Sequence, residues 1–128
     1  MFKKIFMGFL ILALSLLSVD TALIIKIQAA GYSSNSLISG ETTKSTSRVS
    51  VKSGEHLKIY LNNNSSQLVT WRVFKNGVEY ATFYGTKNTY THTFYSPVPA
   101  EYSLRAYCNE PGNLKKNCSV PTFWIEAK

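Results

Sequence analysis

From Val49 onward, polar and apolar residues alternate in short runs, and turn residues interrupt them at nearly regular intervals. "RVSVK" (48–52) ends at Ser53–Gly54. "EHLKIYL" (55–61) places Leu57, Ile59 and Leu61 on one face and His56, Lys58 and Tyr60 on the other. A period of two is the mark of a half-buried strand, because successive side chains of an extended chain point to opposite sides. "LVTWRVF" (68–74) continues the pattern with Val69, Trp71 and Val73 on one face. Asn76–Gly77, where both residues tolerate positive φ, predicts a tight hairpin into "VEYATFY" (78–84). "TYTHTFY" (89–95), "EYSLRAYC" (101–108) and "PTFWIEA" (121–127) complete seven short strands, with no helical period after residue 30. Evenly spaced strands of this kind predict an all-β, two-sheet antiparallel sandwich over residues 48–128.

The first thirty residues follow another rule. Lys3 and Lys4 precede an uncharged, mostly apolar run, Ile5–Val19, and Ala29–Ala30 stand just before the polar "GYSSNS". That order is the signature of a signal peptide over 1–30, with cleavage after Ala29 or Ala30, although Ile27 or Gln28 would then occupy the −3 position. The alternative is an uncleaved membrane anchor facing outward: Ile5–Ile25 is long enough to span a bilayer but carries Asp20. No cysteine lies in the segment, which excludes a lipid-anchored form. Both readings put the rest of the chain outside the cytoplasm. In residues 33–50, ten of eighteen are Ser or Thr, so residues 31–47 read as a flexible spacer.

Without the leader, 11 basic and 6 acidic residues remain, a net charge of +5. No basic run exceeds Lys115–Lys116, so nucleic acid is not an expected partner. Cys108 and Cys118 are the only cysteines. An even count in an exported chain favours a disulfide. Zinc would need further ligands, and redox catalysis normally uses Cys-x-x-Cys; neither pattern is present.

"VTWRVFKNG…YTHTFYSPVPAEYSLRAYC" resembles the middle and late strands of bacterial immunoglobulin-like domains, especially of the polycystic-kidney-disease type. The matching positions are Trp71, Asn76–Gly77, His92, Phe94, Tyr102, Leu104 and Ala106, about half of the exported part. The acidic turn of that type is missing, and so is the antibody-type disulfide between sheets. The resemblance implies an immunoglobulin-like sandwich in an extracytoplasmic setting, with Trp71, His92 and Tyr102 as structural residues. It implies no activity.

Composition narrows the chemistry. After the leader the chain has no aspartate, which excludes an Asp-rich calcium loop and a Ser–His–Asp triad. The six glutamates are scattered, with no spacing that suggests the paired carboxylates of a glycosidase. The expectation is a non-enzyme with no cofactor and no metal. The aromatic content points elsewhere: all eight tyrosines and both tryptophans follow the leader, more than so small a core can hold. In an immunoglobulin-type sandwich the third, sixth and seventh strands share a sheet. Arg72, Phe74, Arg105, Tyr107 and Trp124 would then form one outward aromatic–cationic patch, suited to stacking on sugar rings or to a protein interface. The tip loop 109–117, with Lys115 and Lys116, is a second candidate. The function expected is a secreted or surface-associated binding module for an extracellular glycan or protein. The alternatives are a small cationic effector (a toxin or inhibitor) and a matrix protein that self-associates through the edge strand "VEYATFY".

Overall fold

The computed structural model describes residues 31–128; the expected signal peptide and its expected cleavage point lie outside the described residues. No helix occurs among them. Ten strands follow in order: β1 (Tyr32–Leu37), β2 (Thr43–Ser45), β3 (Val49–Val51), β4 (Leu57–Asn63), β5 (Val69–Lys75), β6 (Val78–Gly85), β7 (Asn88–Phe94), β8 (Ala100–Glu110), β9 (Asn113–Leu114) and β10 (Val120–Ala127). All seven expected strands form. They pack as two antiparallel sheets. One has the order β1-β10-β4-β7; the other runs β2-β8-β5-β6, with β3 and β9 also pairing β8.

Alternation builds the core as expected. Leu57, Ile59 and Leu61 face Val69, Trp71 and Val73 across the sandwich, joined by Tyr102, Leu104, Ala106, Phe123 and Ile125, all nearly or fully buried. Trp71 meets Phe123 edge to face at 5.4 Å, the arrangement favoured by the ring quadrupoles. The hairpin at Asn76–Gly77 forms with φ of 49° and 81°, as a primed turn requires.

Residues 31–47 are not a spacer. They form β1 on β10 and β2 on β8, and Leu37 is fully buried. The hydroxyl-rich composition misled because those hydroxyls bond the sheet instead of water. Thr43 Oγ1 donates to the Ala106 carbonyl at 2.9 Å, and Thr46 Oγ1 accepts from Leu104 N–H at 3.0 Å. The turn before β2 is fastened by Glu41, which accepts from Ile38 N–H and from Lys44 Nζ. The Lys44 bond, and then the Ile38 one, hold the Glu41 carboxyl below its ordinary range.

Tyr102 is fully buried and donates to the Val98 carbonyl at 2.6 Å, pinning the Pro-rich corner that leads into β8. Burial first, and the neighbouring Tyr80 second, push its phenol above the ordinary range. The folded state therefore keeps a proton that the unfolded chain releases near pH 10, so stability falls as pH rises beyond about 10. Tyr102→Phe is expected to cost about 1 kcal/mol at neutral pH, by removing the hydrogen bond to the Val98 carbonyl. It should also flatten the alkaline part of the stability curve, which urea unfolding at several pH values would measure.

Candidate ligand-binding face

The register between β5 and β8 decides which side chains meet. Trp71 pairs with Ala106 and Val73 with Leu104, all inward. Arg72 stands opposite Arg105, Thr70 opposite Tyr107, and Phe74 opposite Ser103, all outward. Arg72, Phe74, Arg105 and Tyr107 thus emerge half-buried on one outer face, as their alternation predicts. Each guanidinium carbon lies 5.6 Å from the centroid of the same Tyr107 ring, so two cations share one π-face system.

The arginines differ in their partners. Arg72 Nε is 3.6 Å from Glu79 Oε1, too long for a hydrogen bond, and it is buried without one. Glu79 is itself oriented by Thr82 Oγ1 at 2.6 Å. Arg105 Nε donates to Thr43 Oγ1 at 2.9 Å, and among the described residues no carboxylate comes within ion-pair distance of it. Like charges directly opposite in a sheet repel, and here only one of the two is partly neutralised. Beside them, a cavity of about 300 Å³ opens between the β2–β3 link and the β5–β6 turn, lined by Ser45, Thr46, Arg48, Phe74, Gly77, Ser103 and Arg105.

Trp124 does not belong to this patch. β10 pairs with β1 and β4 in the other sheet, so Trp124 emerges on the opposite outer face. There it stacks on Tyr60 at 5.5 Å and 11°, with Tyr32 at 6.1 Å. Its outward direction is right and its sheet is wrong, because alternation fixes a residue's side but not its strand's neighbours. Tyr84 takes the vacated role: it is 63% exposed and lies across Thr70 from Tyr107, so Thr70 is buried between them. A bulge in the β5–β6 pairing, between Val73 and Phe74, hides this from a simple parity count.

The remaining expected residues are accounted for individually. Cys108 and Cys118 form a disulfide, both fully buried. Trp71 and Tyr102 are core residues. His92 is half-buried on β7, in an aromatic row with Phe94 at 4.6 Å and Phe83 at 5.3 Å, and its Nδ1 lies 3.3 Å from Tyr90 Oη. His56 accepts from Ser96 N–H through Nδ1 at 2.9 Å and so positions the turn after β7. Lys115 and Lys116 are exposed. Their backbone is tied to Cys108 and Gly40. β6 is a sheet edge, as "VEYATFY" suggested, but its bulge breaks the regular ladder that edge pairing needs.

A second concavity of about 260 Å³ lies on the side where edge strands β6 and β7 meet, lined by Leu61, Trp71, Phe83, Tyr84, Asn88 and Tyr90. It carries no charged side chain. The signal for it in the sequence is the density of aromatics in residues 80–95, on two strands joined by a short turn.

No family model and no curated protein matches this chain. Solved structures do. PliG of Aeromonas hydrophila, a periplasmic inhibitor of g-type lysozyme, aligns over 79% of this chain and 90% of its own, with 14% identity and a TM-score of 0.52. The pre-peptidase C-terminal domain of a Bacillus anthracis collagenase aligns over 77% and 94%, with 20% identity and a TM-score of 0.44. The CBM36-1 domain of a multidomain xylanase from the hindgut metagenome of Trinervitermes trinervoides aligns over 70% and 74%, with 14% identity and a TM-score of 0.43. The likeness is one of fold.

Proposed function

We propose that this chain is a non-catalytic binding module of an oxidising, extracytoplasmic compartment, and that it engages its ligand through the outer face of the β2-β8-β5-β6 sheet. The observation that carries the reading is the opposed pair Arg72–Arg105, stacked on Tyr107 with only one carboxylate between them. Repulsion across a sheet is tolerated where a ligand relieves it, and Arg and Tyr are the residues most often found as binding anchors. The buried disulfide supports the compartment, since such bridges persist where thiols are not kept reduced.

The test is retention on an array of neutral polysaccharides, acidic polysaccharides and exported proteins. The double change Arg72→Ala, Tyr107→Ala is expected to abolish retention. Tyr60→Ala, Trp124→Ala on the opposite face should leave it intact. If the second pair abolishes retention and the first does not, the ligand surface is the other sheet. The effector reading rests on the exposed lysines of the stapled tip, and it requires Lys115→Ala, Lys116→Ala to remove whatever activity the protein has.

A further inference from the structure

We infer that the ligand of this face is an acidic polysaccharide, and that one carboxylated sugar residue docks in the cavity between Arg48 and Arg105. The inference rests on the binding-module reading above and names its ligand class. Three features of the cavity converge. The first is charge. Arg48 and Arg105 line the cavity, with Arg72 opposite Arg105 on the neighbouring strand; Glu79 reaches only Arg72, and Glu101 reaches Arg48 Nη1 at 3.4 Å from an exposed position. Arg105 has its Nε engaged by Thr43, which fixes the plane of the guanidinium and leaves its terminal nitrogens without a carboxylate. A planar fork held in this way suits a carboxylate, which can accept two parallel N–H bonds.

The second feature is Phe74. It lines the same cavity, half-exposed, and offers an apolar wall to the carbon-bonded face of a sugar ring. A site built only for a free anion has no use for such a wall; a ligand with one charged and one apolar aspect does. The third is hydroxyl chemistry. Ser45 and Ser103 line the wall, and Ser45 Oγ, which already donates to backbone carbonyls, keeps lone pairs for a sugar hydroxyl. Gly77 forms part of the rim. With φ of 81° it is a position where a side chain would be strained, and a Cβ there would come within 3.5 Å of Arg48 Nη2.

The site predicts a hierarchy of probes. In calorimetric titration at moderate salt, trigalacturonate should bind the purified domain, whereas a neutral xylo-oligosaccharide and poly-glutamate should bind at least about tenfold more weakly. Arg105→Gln should weaken trigalacturonate binding by about ten- to a hundredfold, the loss expected for a charge-assisted hydrogen bond. Phe74→Ala, which changes no charge, should weaken it by a similar order. Lys115→Ala, Lys116→Ala should leave it unchanged. Thermal unfolding of each variant confirms that the fold is intact; if Phe74→Ala unfolds, Phe74→Leu, which keeps bulk and loses the flat ring, replaces it. The inference is overturned if trigalacturonate does not bind, if poly-glutamate or dextran sulfate binds as well, or if neither Phe74 variant weakens binding. A neutral glycan retained by this face and lost in Arg72→Ala, Tyr107→Ala would remove the acidic class while leaving the binding module standing.

Discussion

Replacing both Cys108 and Cys118 by Ala is expected to lower the free energy of unfolding by about 3 kcal/mol, the loop-closure entropy of a short bridge. The bridge spans ten positions in sequence, and its consequence is larger than the loop it closes. Cys108 ends the regular part of β8 in one sheet, and Cys118 leads into β10 in the other, so the sulfurs clasp the two layers at one end. Both are fully buried within the core cluster. The inner polypeptide is further shaped by Asn109, whose positive φ of 73° accompanies a bulge beside Tyr107, and by β9, which folds back on β8. Losing the clasp should therefore also loosen the Tyr107 end of the proposed ligand face. A domain of this size has a total stability of about 5–15 kcal/mol, so the change removes a large share. Urea unfolding of the oxidised protein, the reduced protein and the double variant measures it; a difference below about 1 kcal/mol would show that the clasp is dispensable.

A comparable loss, about 3 kcal/mol, is expected for Asn63→Ala. Asn63 is 2% exposed at the end of β4, and its amide is fully used. Nδ2 donates to the carbonyls of Gln67 and Gly85, each at 2.8 Å, while Oδ1 accepts from Ser65 N–H at 3.1 Å and from Ser65 Oγ at 2.8 Å. Gly85 ends β6 in the opposite sheet, so this one side chain is a polar link between the layers. Truncation leaves two part-buried carbonyls without their donor, and each unmade bond of this kind costs about 1–3 kcal/mol. Asn63→Asp should be at least as harmful, because it turns the donor into a third acceptor facing two carbonyls. Chemical unfolding of both variants checks the order; an Asp variant as stable as the parent would mean the two donor bonds contribute nothing.

These two links explain what could and could not be read from the chain. Leu57, Ile59 and Leu61, or Trp71 and Val73, announce their burial by period alone, and Asn76–Gly77 announces its turn by φ. The four outward residues of β5 and β8 are legible for the same reason: two strands that pair directly keep the parity of their sequences. Trp124 shows where that logic stops. Its side was legible, but strand order depends on which layer β10 joins, and nothing in "PTFWIEA" encodes a preference for β4 over β5. Thr43 and Thr46 are the opposite case. Their composition reads as solvent-loving chain, yet a hydroxyl bonds a carbonyl as well as it bonds water, and the choice is made by β8 and not by the segment itself. Tyr84 was hidden by a single bulged position, which reverses the parity of everything beyond it.

Backbone amide chemical shifts recorded during titration with trigalacturonate reveal whether the outer face built on Arg72, Arg105 and Tyr107 is where this protein meets its ligand. Shifts are expected only in β2, the outward positions of β5 and β8, and the Asn76–Gly77 turn, with the amides around Tyr60 and Trp124 unmoved. Shifts clustered on the Tyr60–Trp124 face, or along the β6 and β7 edges with the arginine strands silent, would contradict it.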